Sequence, residues 1–360
     1  MLKNYFKTAW RSLVRGKSFS VINISGLAIG MAGAVLILLW IQNEVGFDRF
    51  HKNKDNLYEL YVLTANTDGH PSAVNYTSQP LGPALKHDFP EVESFSRVWY
   101  LNNWLIAYNN KSFTTTKGCF VDTAFLRMFT FPLVEGKPAE QFKNSSSITI
   151  TQSLSKKLFG NDEPIGKVIK IENTDNFTVT GVLKDPPANT LFDFDYLLPW
   201  SYHASVGDGF ENDRQRWMSN NTHTFVLLKP NTDVKAFNAK IKDVAKHYTG
   251  RNDIWTHFVY PLSRLHLYSE FKDGKPVGGR IDTVRVFAII AIFILLIACI
   301  NFVNLCTAQS EKRAKEVGIR KVAGAAKALL VGQFIVEAFV TACIAGRACS
   351  CHCANGASVV

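Results

Sequence analysis

The chain has 360 residues, a net charge of +10 and 19% charged side chains. Its charge is segregated: residues 1–42 carry five basic groups and no acid, whereas 43–285 carry 28 basic and 27 acidic groups. A nearly neutral middle excludes nucleic-acid binding as the reason for the basic balance. With only Cys119 of the seven cysteines in that middle, an internal disulfide is excluded too, so this region depends on its core.

In chain order, Tyr5, Phe6, Ala9, Trp10 and Leu13 share one side of a helix with Lys7, Arg11 and Arg15 elsewhere. This predicts a cytosolic or interfacial amphipathic helix within residues 1–20. No charged residue lies between Lys17 and Glu44, or between Arg285 and Glu311. At about 1.5 Å per residue, either run crosses a hydrocarbon core of about 30 Å. Transmembrane helices are therefore expected over 21–42 and 284–308. A removable signal peptide is the rival reading of the first. The apolar region Val21 to Ile41 is longer than a signal-peptide core, and no small-residue cleavage site follows, which favours a retained anchor. The positive-inside rule puts both basic flanks in the cytosol and residues 43–283 outside. Gly26, Gly30 and Gly33 leave room for close helix contact, although glycine is also simply common in membrane helices. Asn301 and Asn304 read as packing amides.

Outside, Leu57 to Thr64 reads as a strand, Pro80 to Phe89 as a helix and Val92 to Leu101 as a strand. A matching set follows later: strand His223 to Lys229, helix Asp233 to Tyr248 and strand Trp255 to Leu262. Two βαβ units so far apart predict one α/β lobe with an insertion at about 103–198. Within the insertion, Lys111 to Thr116 and Ser147 to Thr151 alternate as strands, and Thr123 to Phe129 and Gln152 to Phe159 read as helices. Val168 to Ile171 with Phe177 to Leu183 read as a hairpin. Gly274 to Gly279 is expected to loosen the chain before the second span.

Beyond that span, 309–330 forms a cytosolic segment in which Lys312, Arg313, Lys315, Arg320 and Lys321 outnumber Glu311 and Glu316. On a helix, Ala314, Val317, Gly318, Val322, Ala325 and Leu329 form a weakly apolar stripe, and Glu311/Lys315 and Glu316/Arg320 are acid-before-base pairs. A third span begins over 331–345, and an atypical tail occupies 346–360. Its Cys349, Cys351, His352 and Cys353 lack the C-x(2–4)-C pairing of a structural zinc site. The tail is read as an abnormal, truncated or out-of-frame terminus.

No phosphate-binding loop, H-E-x-x-H, G-x-S-x-G or strand-linked G-x-G-x-x-G is present. The nine histidines are scattered. No catalytic, cofactor-binding or metal residue is assigned.

The segment Gln309-Ser-Glu-Lys-Arg-Ala-Lys-Glu-Val-Gly-Ile-Arg-Lys-Val-Ala-Gly-Ala325, followed by Gly332-Gln-Phe-Ile-Val-Glu337, resembles the signature after the second span of MacB/FtsX-like ABC transporter permeases. Phe131-Pro-Leu-Val-Glu-Gly136, Ser153 to Gly160, Pro164-Ile-Gly-Lys167 and Val179-Thr-Gly-Val-Leu-Lys-Asp-Pro-Pro187 are similar to the MacB-type periplasmic core. The resemblance implies a multi-pass protein of the bacterial inner membrane, with α-helical spans and a large α+β extracytoplasmic domain. That domain would comprise a Porter-like α/β lobe and an inserted Sabre-like mixed lobe. It further implies a non-catalytic subunit that transmits the motion of a cytosolic ABC ATPase outward, for export of antimicrobial peptides or lipoproteins or for an envelope process. Glu316, Gly318, Arg320, Lys321 and Gly324 would belong to the coupling helix that docks on the ATPase. A second permease subunit, a periplasmic adaptor or lipoprotein, and membrane lipid are the other implied partners. Relatives have four spans, so this chain is expected to be cut short at its C-terminus. The alternative reading is a two-span membrane sensor with a ligand-binding outer domain.

Overall fold

The computed structural model describes residues 17–65, 71–115, 117–207, 212–251, 255–312, 314–322, 331–332, 335–336 and 339–347. They fall into two compact units, Gly46–Ile281 and the residues on either side of it. The amphipathic helix expected before Lys17 and the tail cysteines lie outside the described residues.

Fourteen strands of the outer unit form one mixed sheet: β1 (Leu57–Ala65), β2 (Pro71–Val74), β3 (Thr77–Ser78), β4 (Val92–Leu101), β5 (Trp104–Tyr108), β6 (Lys111–Thr115), β7 (Gly118–Val121), β8 (Leu133–Gly136), β9 (Ser147–Thr151), β10 (Val168–Ile171), β11 (Asp175–Leu183), β12 (Tyr196–Pro199), β13 (Asn220–Leu228) and β14 (Thr256–Pro261). The main path runs β14-β1-β13-β4-β7-β12-β9-β11-β10-β5-β6. Its first four strands are antiparallel neighbours. Helix Leu81–Asp88 lies between β1 and β4 in the chain, and helices Val234–Ile241 and Val244–Thr249 lie between β13 and β14. This is the split-βαβ arrangement that two distant strand-helix-strand sets require when both contribute to one sheet.

Both faces of β1 are buried, which explains its nearly continuous apolar run. Tyr58 and Leu60 pack with Leu81, Leu85, Phe237 and Ile241. Leu57 and Tyr61 face a second core rich in phenylalanine, including Phe125, Phe129, Phe131, Phe192, Phe194 and Phe225. The sheet continues into the middle of the chain where Val98 of β4 opposes Val121 of β7. A third core lies there, with Leu154 and Leu158 of helix Gln152–Phe159 packed on Ile148, Ile150, Phe177 and Val179. Thr151 caps that helix by accepting from the Leu154 N–H at 3.3 Å.

Two local expectations are corrected. The helix expected from Asp233 to Tyr248 is two helices, because Asp243 leaves helical geometry at ψ +21°. Asp233 does start the first: its carboxylate accepts from the Lys235 and Ala236 N–H groups. The stretch Gly274 to Gly279 is not a slack connector. It contributes β16 (Lys275–Gly278), paired with β15 (Glu270–Lys272). Asp273 and Gly274 both have positive φ, +52° and +71°, the left-handed pair that closes a two-residue hairpin.

Candidate functional site in the membrane unit

Helices Lys17–Val45 and Arg280–Lys312 contain apolar spans over Ser20–Val45 and Arg280–Ala308, each long enough for a bilayer. Their contacts form an antiparallel ladder. The Asn23 amide lies 3.8 Å from Cys306 Sγ, Gly30 faces Ala298, Gly33 faces Ile294, and the Trp40 and Phe287 rings are 5.0 Å apart. The tightest approach is at Gly30, where a Cβ would come within 2.5 Å of the Ala298 methyl. Asn301 sits over Gly26, its amide nitrogen 3.2 Å from where a Cβ would be. Small residues also recur on the helical stretch 339–347, where Ala342 and Ala345 join Leu27 and Ala298. Ile22, Ile29, Ile292, Ile297 and Ile300 are turned outward, as residues facing lipid tails would be.

The inner helix Ala314–Val322 follows directly. Glu316 and Arg320 occupy its backbone one turn apart, and Gly318 and Lys321 are exposed. Among the described residues, nothing approaches the Cβ position of Gly318 within 4 Å. Gly324 lies outside the described residues, so four of the five predicted docking residues share this helix. The apolar signal differs from the predicted stripe. Ile319, absent from that stripe, is 71% exposed, and Val322 is 91% exposed. Three residues apart, they form a neighbouring apolar pair. Ile319 lies off the row of Ala314, Gly318 and Val322 along the helix, so the apolar face is turned from the one the sequence pattern predicts.

In the outer unit, buried polar groups supply structure more than chemistry. Burial raises the Glu59 carboxyl above the ordinary carboxylate range, against opposing hydrogen bonds from His223 and Asn75. Burial pushes His257 down to about 4 and raises the Cys119 thiol, so the thiolate nucleophile is disfavoured. Among the described residues, no group of three or more His, Cys, Asp and Glu side chains could hold a metal ion.

Two apolar helices that bracket a nearly neutral, two-faced sheet domain define a membrane protein with a large extracytoplasmic domain. The model of the MacB-like periplasmic core domain matches residues 20–244, and that of the FtsX-like permease C-terminal region matches residues 288–347. The chain belongs to the MacB/FtsX-type ABC transporter permease family and carries a periplasmic domain. Its relatives include the macrolide export ATP-binding/permease protein MacB of Neisseria meningitidis, 23% identical over 63% of this chain and 32% of that protein. The MacB of Burkholderia thailandensis is 24% identical over 99% of this chain and 52% of its own length. The chain thus spans about a third to a half of the curated relatives it matches. The periplasmic region of MacB from Actinobacillus actinomycetemcomitans is 14% identical, with a TM-score of 0.44 over 59% of this chain and 91% of that one.

Proposed function

We propose that this chain is a non-catalytic permease subunit that couples a cytosolic ABC ATPase to conformational change in its periplasmic domain. The domain would occupy 43–283, with its inserted lobe at about 103–198. Its place is the bacterial inner membrane, and its process is export or envelope maintenance. The ATPase docks on the inner helix through Glu316, Gly318, Arg320, Lys321 and Gly324, and work is passed outward without substrate crossing the bilayer. A second permease subunit completes the dimer, a periplasmic adaptor or lipoprotein receives the motion, and lipid surrounds the spans.

The observation that carries this reading is the exposed pair Ile319 and Val322 beside the open flank of Gly318. Apolar side chains this exposed on a basic juxtamembrane helix suit a protein groove better than water. A helix serving only to hold anionic lipid needs the charge, but gains nothing from an unobstructed glycine.

The test is co-purification of the full chain with a cytosolic ABC ATPase from the same cell. Arg320→Glu, Gly324→Leu and Ile319→Asp should each reduce the recovered ATPase about tenfold or more, as loss of a buried interface anchor does. The protein should remain in the membrane at wild-type level. Undiminished recovery in all three variants would remove the docking assignment.

A further inference from the structure

The stretch Gly46–Asn53 follows the first apolar helix and is tied down far more heavily than a connector requires. Asp48 adopts a left-handed backbone at φ +55°, uncommon outside glycine but accessible to aspartate. Its N–H donates to Asn189 O at 2.9 Å. Its buried carboxylate accepts from the Thr190 hydroxyl and from the Leu191 N–H at 3.1 Å. His51, only 1% exposed, uses Nδ1 to accept from the Thr130 N–H at 3.0 Å. An accepting Nδ1 carries no hydrogen, so the proton of the neutral ring is on Nε2. That nitrogen lies 3.5 Å from Asp48 Oδ1, within electrostatic reach though not aligned as a hydrogen bond.

Further ties lead to the loop that carries Thr130. The Lys52 N–H donates to Thr130 Oγ1 at 2.9 Å, and the Asn53 amide donates to Met128 O at 3.0 Å. The rings of Phe50, Phe129 and Phe131 lie 4.1, 5.3 and 5.4 Å from the His51 ring, centre to centre. Burying an aspartate and a histidine is unfavourable unless their polar atoms are satisfied. A flexible polar connector would avoid that cost.

We propose that Asp48 and His51 form a clamp that makes Gly46–Asn53 one rigid body with the phenylalanine core of the outer unit. The stretch that follows the first apolar helix is thereby part of that core and is not a slack connector. The proposal deepens, and rests on, the reading of the chain as a transmitter of motion. Asp48 and His51 are positioning residues in it and touch no substrate.

The full chain in lipid nanodiscs, carrying genetically encoded spin labels, tests the clamp. One label pair at Arg49, exposed within the clamped stretch, and Val134 reports the connection. A second pair at Val134 and Val168, both exposed, reports the outer unit alone. The wild type should give a narrow distance distribution for both pairs. His51→Leu should broaden the Arg49–Val134 distribution only and speed amide exchange over residues 127–131 and 189–192 about tenfold, as loss of a buried partner does. His51→Asn, whose side-chain oxygen can again accept from Thr130, should restore both readings.

Asp48→Asn keeps a residue tolerant of left-handed geometry but removes the charge. It should broaden the first pair to an intermediate degree, and it decides the matter if His51→Leu also loosens the control pair. A broad wild-type distribution overturns the clamp, as does a first pair that stays narrow in both His51→Leu and Asp48→Asn. None of these labels or variants lies on the inner helix, so lost ATPase docking and a failed clamp are separate outcomes.

Discussion

The outer unit and the membrane unit use the same apolar side chains in opposite ways. In the outer unit, Phe125, Phe129, Phe192 and Phe225 are no more than 1% exposed, and their removal from water drives the unit to fold. In the membrane unit, Ile292, Ile297 and Ile300 are 59–64% exposed, and the helices meet through Gly30, Ala298, Ala342 and Ala345. Lipid tails are as apolar as leucine, so burial between helices gains little and close backbone approach takes over. A chain average of hydropathy cannot distinguish the two regimes. Where the apolar side chains point does.

The largest effect should come from emptying the aromatic core. Phe192 lies 4.5–5.8 Å, ring to ring, from Phe125, Phe129, Phe131 and Phe225. Phe192→Ala should destabilise the outer unit by about 3–5 kcal/mol through lost transfer energy and a cavity. Urea unfolding followed by tryptophan fluorescence measures it. A loss below about 1 kcal/mol would mean that neighbours collapse into the space, and the contrast between a jigsaw core and a small-residue seam would weaken.

The next effect is electrostatic and separates the units again. His257 is 2% exposed, and burial, opposed in part by a hydrogen bond to the Lys242 backbone, lowers its pKa from 6.5 to about 4. Above pH 6.5 the ring is neutral in both the folded and unfolded chain. As pH falls from 6.5 toward 4 the unfolded chain takes up a proton that the folded one refuses, so stability declines. The shift corresponds to about 3 kcal/mol across that window. His257→Leu should flatten this part of the pH–stability curve, and the wild-type imidazole resonance should titrate near pH 4. Titration near 6.5 would show that water reaches the ring.

Much of this arrangement was legible in the sequence because it follows from periodicity and charge. The two uncharged runs, the distant strand-helix-strand sets and the Asp233 cap are local patterns with direct structural meanings. The break after Ile241 was hidden because Asp243 sits inside an uninterrupted helical pattern. The β15–β16 hairpin was signalled by Asp273-Gly274, but surrounding glycine and lysine gave the appearance of a loop. The Asp48–His51 cluster had no local signature at all. Its partners, Thr130 and Thr190, are brought there only by the fold, and a histidine read singly gives no hint of the four aromatic rings around it. On the inner helix, charge and spacing located the segment, but the exposure of Ile319 and Val322 required the structure.

The smallest stability effect, and the sharpest test of the small-residue seam, lies at Gly30. A Cβ there would come within 2.5 Å of the Ala298 methyl and 3.7 Å of its Cα, so even a methyl forces the helices apart. Gly30→Leu should cost about 1–3 kcal/mol by overpacking, while leaving unfolding of the outer unit unchanged. The seam can be read chemically, since the Asn23 amide lies 3.8 Å from Cys306 Sγ. Asn23→Cys should therefore form a disulfide with Cys306 under mild oxidation. Adding Gly30→Leu should suppress that bond, and adding Gly30→Ala should reduce it less. Val21→Leu, a change on a residue 64% exposed, should leave it intact. Equal cross-linking in all backgrounds would mean that Gly30 is not what sets the approach of the two helices. Selective loss with Gly30→Leu would place the close approach at Gly30, because the lipid-facing control also adds apolar bulk without entering the seam.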